Sequence, residues 1–364
     1  MIYCANPQAQ YQSYKSEIDK AVSKVLNSNQ FVLGEFVENF ENSFSKSMSQ
    51  KHAIGVANGT DALEIALRAL NIKEGDEVIT VSHTAVATVS AIHLTGATPV
   101  LIDIDEHTYT MDPNFLEDAI TQNTKAIICV HIYGHACNID EIMMISNKHN
   151  IPLIEDVSQA HLASFEGKTV GSFGLISCYS CYPTKNLGAI GDAGMISTND
   201  PELAKKIRMI REYGWTERYI SEIPGRNSRL DEIQAAILNI KLKYLDSDNQ
   251  KRIIIANEYI KNLSDLDLDM PIVKDGCKHV FHLFVIKSKE RDKLISFLNK
   301  KNVFPGIHYP FPIHVQKGYK DIIKLPKKLN ITERISNLVL SLPIYPELSN
   351  ENHEHICNSI REFF

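Results

Sequence analysis

The chain has 364 residues, 44% of them hydrophobic and 23% charged, with a formal net charge of −6. That length suits a large domain joined to a smaller one, and the composition supports a substantial buried core. The acidic balance and the lack of a long Lys/Arg run exclude a nucleic-acid binder, and Lys327-Lys328 reads as solvated surface. In chain order, the periodicity predicts helices over 12–27 and 34–49. Strands follow at 53–57, 78–81, 100–104, 126–130, 153–155, 175–180 and 195–197, several of them nearly continuous in apolar residues. Amphipathic stretches at 61–70, 85–94, 114–121 and 139–149 alternate with these strands. The alternation predicts an α/β domain around a mostly parallel seven-stranded sheet. Helices over 201–213, 228–245 and 246–263 come next, then a polar connection over 264–278 that contains Pro271 and Gly276. A strand at 279–286 and a helix at 290–300 open a smaller α+β domain. The expected division is therefore 1–250 and 251–364.

Seven cysteines spread over the whole chain make a poor disulfide framework and fit a reducing compartment. The first seven residues lack a basic stretch followed by an apolar one, and no run of 18 apolar residues occurs. The expected location is the cytoplasm, with no membrane partner.

Three segments carry chemistry. Asn58-Gly59-Thr60-Asp61 follows a strand and opens a helix, where free N–H groups and the helix dipole suit an anion. Taken alone, an N-cap by Asn58 or Thr60 explains it as well. Leu153-Ile154-Glu155-Asp156 is a strand ending in acid, with Gln159 and His161 beyond it. Open α/β sheets place ligands at the carboxyl ends of strands, so Asp156 could hold a ligand cation or cap a following helix. Lys185 stands after another strand, in a loop dense in glycine (Gly188, Gly191, Gly194), although a lone lysine is usually a surface residue.

Together these segments resemble the sugar-nucleotide aminotransferases of the DegT/StrS type, and the likeness extends along nearly the whole chain. It also includes Ser82-His83-Thr84-Ala85-Val86-Ala87-Thr88, Arg211-Glu212-Tyr213-Gly214-Trp215, Asn227-Ser228-Arg229-Leu230-Asp231 and Gly306-Ile307-His308-Tyr309-Pro310. The resemblance implies the aspartate-aminotransferase-like fold (fold type I of the pyridoxal 5′-phosphate transferases) and that cofactor. By it, Lys185 forms the Schiff base and shuttles the proton, Asp156 pairs with the ring nitrogen, and Gln159 bonds the phenolic oxygen. His83 stacks on the ring, while Gly59, Thr60 and Ser180 hold the phosphate. Asn227 reaches that phosphate from the other subunit of a homodimer. Arg229, His308 and Tyr309 are the implied substrate contacts. The implied reaction moves an amino group from L-glutamate, leaving 2-oxoglutarate, to a nucleotide-linked keto-sugar. The stretch 213–221 looks most like dTDP-3-amino-3,6-dideoxyhexose transaminases, which points to C3 of a dTDP-3-keto-6-deoxyhexose. The alternative is C4 of a dTDP-, UDP- or GDP-4-keto-6-deoxyhexose. Two positions depart from the family pattern: Leu162 stands where glycine often follows the histidine, and Arg226 where an aromatic often precedes the asparagine.

Other chemistries fit less well. Cys129, His131, His135 and Cys137 lack finger-like spacing, so no metal is expected, and Cys178 and Cys181 sit on a strand rather than at a helix start. The glycine sets 167/171/174 and 188/191/194 have the wrong spacing for a dinucleotide fingerprint. Gly167-Lys168-Thr169 lacks the first glycine of a P-loop, because Leu162 occupies that place. A dehydratase branch of the family has histidine where Lys185 stands. A non-catalytic sensor of the cofactor or of a sugar nucleotide is the rival from another class.

Overall fold

The seven apolar segments become seven strands of one sheet in the computed structural model, which describes Met1–Phe364. They are β1 (His52–Val56), β2 (Glu77–Val81), β3 (Thr98–Ile102), β4 (Thr124–Val130), β5 (Leu153–Asp156), β6 (Ile176–Ser180) and β7 (Gly194–Thr198). The spatial order is β1-β7-β6-β5-β4-β2-β3. All pairings are parallel except those of β7, which runs against both β1 and β6. Every residue of β2, β5 and β7 is buried, because successive side chains enter different cores. Ile54, Val78, Ile128 and Ile196 pack with the helices Gly59–Ala69 and Pro201–Arg211 on one face. Ile79, Ile127, Cys129 and Leu153 pack into a core on the other face, and Ala53, Tyr179 and Met195 into a second. Since β1, β2, β4, β5 and β6 share a direction, their carboxyl ends meet on one rim.

Three helical and strand expectations change. Segment 12–27 is two helices, Pro7–Ser13 and Lys15–Leu26. Tyr14 leaves helical geometry between them, with its ring stacked on Tyr244 at 4.3 Å and its hydroxyl donating to Asp248 at 2.8 Å. The amphipathic stretch 114–121 closes as a 3-10 turn, Pro113–Phe115, and a single α turn, Leu116–Ala119, because Ile120 is extended. Within 279–286 only Phe284 onward is strand, since Phe281 adopts a left-handed φ of 43°. That strand, β8 (Phe284–Lys287), pairs antiparallel with β9 (Val339–Leu342).

The division at 250 falls inside one continuous helix, Leu245–Leu263. Its first residue, Leu245, packs with the large-domain core, whereas Ile255, Tyr259 and Leu263 pack with β8, β9 and the helix Asn350–Phe363. The first residues also depart from the expected 1–250 unit. Ile2–Tyr3 forms a parallel pair with Val303–Phe304, and Ile2 is buried in the small-domain core.

Beneath the rim, Glu155 is fully buried. Its carboxylate accepts the N–H groups of Gly171 (2.6 Å), Phe173 (2.8 Å) and Gly174 (2.6 Å), and lies 3.1 Å from His131 Nε2. Burial opposes its charge, but the His131 ring and these N–H groups outweigh it and hold the carboxyl below its ordinary pKa. Removing it leaves all four partners without an acceptor. Glu155→Ala is expected to cost about 3–5 kcal/mol of stability in urea unfolding; a loss below about 1 kcal/mol would refute this account of the rim.

Candidate active site

The carboxyl ends of β1, β4, β5 and β6 enclose a cleft of about 520 Å³. Gly59, Thr60, Asp156, Gln159, Ser180 and Lys185 all line it. Three segments far apart in sequence thus converge, as the strand directions require.

At the first wall, Asn58 caps the helix by accepting the Asp61 N–H at 2.8 Å, as the capping reading expects. Gly59 and Thr60 then present the first turn of that helix to the cleft. A Cβ on Gly59 would stand 2.7 Å from Ser180 Cβ, so only glycine lets the start of the helix approach the end of β6 this closely. The result is a narrow cradle of Gly59, Thr60 and Ser180 beside the positive end of a helix dipole.

On the floor, Asp156 is 5% exposed. Its Oδ2 accepts the Thr88 hydroxyl at 3.0 Å and its Oδ1 the Ser158 N–H at 3.1 Å. No helix begins there, so the carboxylate is aimed rather than spent on a cap. Gln159 is fixed from both sides, accepting the Tyr133 N–H at 2.7 Å and donating to Tyr309 Oη at 3.0 Å.

Lys185 lies in a closed loop. Cys181 accepts the Ala189 N–H and Tyr182 the Lys185 N–H, each at 2.8 Å, while the buried Lys241 ammonium donates to the Gly188 carbonyl at 2.6 Å. Burial lowers the pKa of the Lys185 amine to about 8, with Asp156 and Cys181 pulling in the opposite direction. An amine poised there gives up its proton near neutral pH. His308 is held neutral, its pKa lowered to about 4 by burial and by Lys185.

Four predicted residues stand elsewhere. His83 does not reach the cleft: it is 1% exposed, with Nε2 2.6 Å from Tyr133 Oη and its ring edge-on to Tyr133. Thr84, Ala85 and Ala87 form that wall instead, so no ring from this segment faces the cavity. Asn227 is exposed and lines no part of its own chain's cleft. Arg229 pairs loosely with Glu212 at 3.5 Å. His308 bonds Ser341 Oγ through Nδ1 at 2.8 Å, and of this pair only Tyr309 bonds a cleft residue.

Both departures from the family pattern have local explanations. Leu162 takes a φ of 62°, a left-handed conformation that favours glycine. Arg226 bridges Asp61 (3.0 Å) and Glu64, tying the segment of Asn227 to the helix that starts the cradle. Cys178 and Cys181 are buried and free. The sulfurs of Cys129 and Cys137 do gather near the His131 ring, while His135 stands apart. However, His131 Nδ1 already accepts the Cys137 N–H at 3.0 Å and Nε2 faces Glu155.

Sequence reading missed Thr88 and Tyr133. Thr88 closes the quoted 82–88 segment, where its place in the first turn of the helix Val86–Leu94 was the available signal. Tyr133 has no local signal, since its role depends on contacts with Gln159, His83 and His308.

Known proteins resemble the chain along nearly its whole length. The chain is 45% identical over 350 residues to a dTDP-3-amino-3,6-dideoxy-alpha-D-galactopyranose transaminase of Aneurinibacillus thermoaerophilus, covering 96% of each chain. It is 40% identical to a UDP-N-acetyl-3-dehydro-alpha-D-glucosamine 3-aminotransferase of Acidithiobacillus ferrooxidans, over 97% of this chain and 95% of that one. Among solved structures, DesV of Streptomyces venezuelae, crystallised with a ketimine intermediate, superposes with a TM-score of 0.97 at 39% identity, covering 100% and 98% of the two chains. The match to the family described as DegT/DnrJ/EryC1/StrS aminotransferases runs over residues 12–361, and the chain belongs to that family.

Proposed function

We propose that this aminotransferase takes the amino group of L-glutamate and delivers it to C3 of a dTDP-linked 3-keto-6-deoxyhexose, working as a cytoplasmic homodimer. The observation that carries the reading is the convergence on one cleft of a proton-labile Lys185, a buried Asp156 and a glycine cradle at a helix start. These residues fit pyridoxal 5′-phosphate. Gly59, Thr60 and Ser180 would hold its phosphate, Asp156 its protonated ring nitrogen and Gln159 its phenolic oxygen. Bound there, the cofactor supplies a conjugated ring that accepts the electron pair left when a proton leaves the substrate carbon. Lys185 takes that proton and returns it, and the closed loop around it keeps the amine within the cleft. Thr88 and Ser158 keep the Asp156 carboxylate turned to the ring.

The cradle makes a direct prediction. Gly59→Ala is expected to weaken pyridoxal phosphate binding about tenfold or more, because the methyl group must push Ser180 aside. Titrating apo protein with the cofactor measures it, and unchanged affinity would remove Gly59 from the phosphate site.

The exposed Asn227, which lines no part of its own cleft, supports a second subunit to which it could contribute. So does an apolar groove on the helix Lys15–Leu26, lined by Ile18, Val22, Leu26 and Ile190. Both relatives named above are C3 enzymes, which supports that carbon, while their nucleotides differ. A panel of dTDP-, UDP- and GDP-linked 3-keto and 4-keto sugars, assayed with glutamate, tests the assignment. Turnover of dTDP-3-keto substrates in preference to the others is expected. Preference for a 4-keto sugar would overturn the C3 reading, and no turnover of any would overturn the sugar reading itself.

A further inference from the structure

Ser82, the first residue beyond β2, is 1% exposed, and its side chain is engaged away from the cleft. Its Oγ lies 2.8 Å from His314 Nδ1 and accepts the His314 backbone N–H at 3.2 Å. His314 Nε2 in turn lies 3.1 Å from Glu333 Oε1. The Ile313 N–H reaches the Ser82 carbonyl at 3.4 Å. A carboxylate only accepts hydrogen bonds, so Nε2 carries a proton, and in the neutral ring Nδ1 accepts the Ser82 O–H.

Serine, histidine and glutamate in line resemble a hydrolytic triad, but Ser82 is buried, lines no cleft and already accepts a backbone N–H. Its place in the chain suggests a different task. The segment 306–315 leaves the small-domain sheet at Gly306, which exchanges backbone hydrogen bonds with Ser341 of β9 at 3.0 and 2.8 Å. It passes beside the cleft, where the His308 carbonyl accepts the Tyr133 hydroxyl and Tyr309 accepts from the cleft-lining Gln159. It then lands on Ser82, two residues before the cleft-lining Thr84. Beyond the landing, Ile313 packs against Val89, Leu101 and Leu329 of the large domain. The crossing is thus fastened at one end by Ser341 and at the other by Ser82.

We propose that His314 is a positioning residue whose bond to Ser82 holds the 306–315 crossing against the cleft wall at Gln159, setting His308 and Tyr309 for the sugar nucleotide. The part played by His308 and Tyr309 rests on the function proposed above; the clamp itself does not. Glu333 orients the ring from the solvent side, where its own side chain is exposed.

Asparagine and glutamine separate the two bonds of the imidazole. An Asn amide reaches about as far as Nδ1 and can keep Ser82, whereas a Gln amide reaches the place of Nε2 and keeps Glu333 only. The test compares His314→Asn, His314→Gln and Ser82→Ala in the full-length, cofactor-loaded protein. His314→Gln, which loses the ring's bond to Ser82, is expected to raise KM for the keto-sugar about tenfold, and Ser82→Ala, which also loses the acceptor of the His314 backbone N–H, by at least as much. Both should also speed amide hydrogen exchange across 306–315. His314→Asn should stay within about twofold of the parent in both measures, and the glutamate half-reaction should be unchanged in all three. If His314→Asn is as impaired as His314→Gln, or exchange across 306–315 is the same in His314→Gln as in the parent, the clamp is wrong. An equal loss in the glutamate half-reaction would also overturn it, because His314 would then support the scaffold generally. If the parent protein aminates no keto-sugar, the functional reading fails while the exchange comparison still judges the clamp.

Discussion

Replacing Lys185 with alanine is expected to lower kcat for amino transfer by at least about 10³-fold, the scale of losing both a covalent attachment and a general acid/base. Its side chain is the amine that lines the cleft, and burial has already brought its pKa down to about 8. The substitution removes a partly buried cation from the neighbourhood of Asp156 without creating a void in the apolar core, so folding should persist. Purified variant mixed with pyridoxal phosphate should lack the visible absorption of the lysine-linked cofactor, while the phosphate cradle of Gly59, Thr60 and Ser180 remains intact. The two readouts separate the roles, since cofactor should still bind through its phosphate but the amine-dependent spectrum and turnover should vanish. A variant that keeps the parent spectrum would show that another group holds the cofactor, and Lys185 would lose its assignment.

Asp156→Asn is expected to lower kcat about 10²- to 10⁴-fold while leaving stability nearly unchanged. The amide has the shape of the carboxylate: its oxygen can still accept the Ser158 N–H, and its NH2 can donate to the Thr88 hydroxyl, which turns to accept, so both contacts survive with one reversed. What would disappear is the negative charge that, in the proposed site, keeps the ring nitrogen of the cofactor protonated. Asp156 also raises the Lys185 amine pKa against the effect of burial. In the apo variant that amine should therefore titrate below about 8, lower than in the parent. Measuring kcat together with the pH dependence of lysine modification in the apo protein checks both consequences. Full activity in Asp156→Asn would place the ring nitrogen's partner elsewhere.

The central sheet was legible because its strands are buried on both faces and therefore read as short Val/Ile runs, each within a few residues of its observed place. The cleft was legible for a related reason, because Gly59, Asp156 and Ser180 all stand at or just beyond the carboxyl ends of strands that run in one direction. The orientation of His83 was not legible, because a flat ring in a quoted motif says nothing of which way it turns. Tyr133, fifty residues away, captures its Nε2 and turns the ring into the core. Phe281 and Tyr14 misled in another way. Each interrupts an otherwise regular apolar pattern through a backbone angle that tertiary contacts impose, which window-based periodicity cannot register. The crossing from Gly306 to His314 was invisible as a structure, since both of its fastenings, Ser341 and Ser82, belong to other elements.

The pairing of Ile2–Tyr3 with Val303–Phe304 has a consequence for how the chain comes to be folded. Ile2 and Tyr3 are made before their native neighbours, which lie three hundred positions downstream. During synthesis the α/β core can assemble around β1 to β7, but the amino terminus must wait unpaired until the last third emerges. Ordering the smaller unit is therefore a late, long-range event, of the kind that slows folding and exposes apolar surface meanwhile. Ile2 ends up buried in that late-forming core, so a bulky group placed directly before it should delay completion of the molecule.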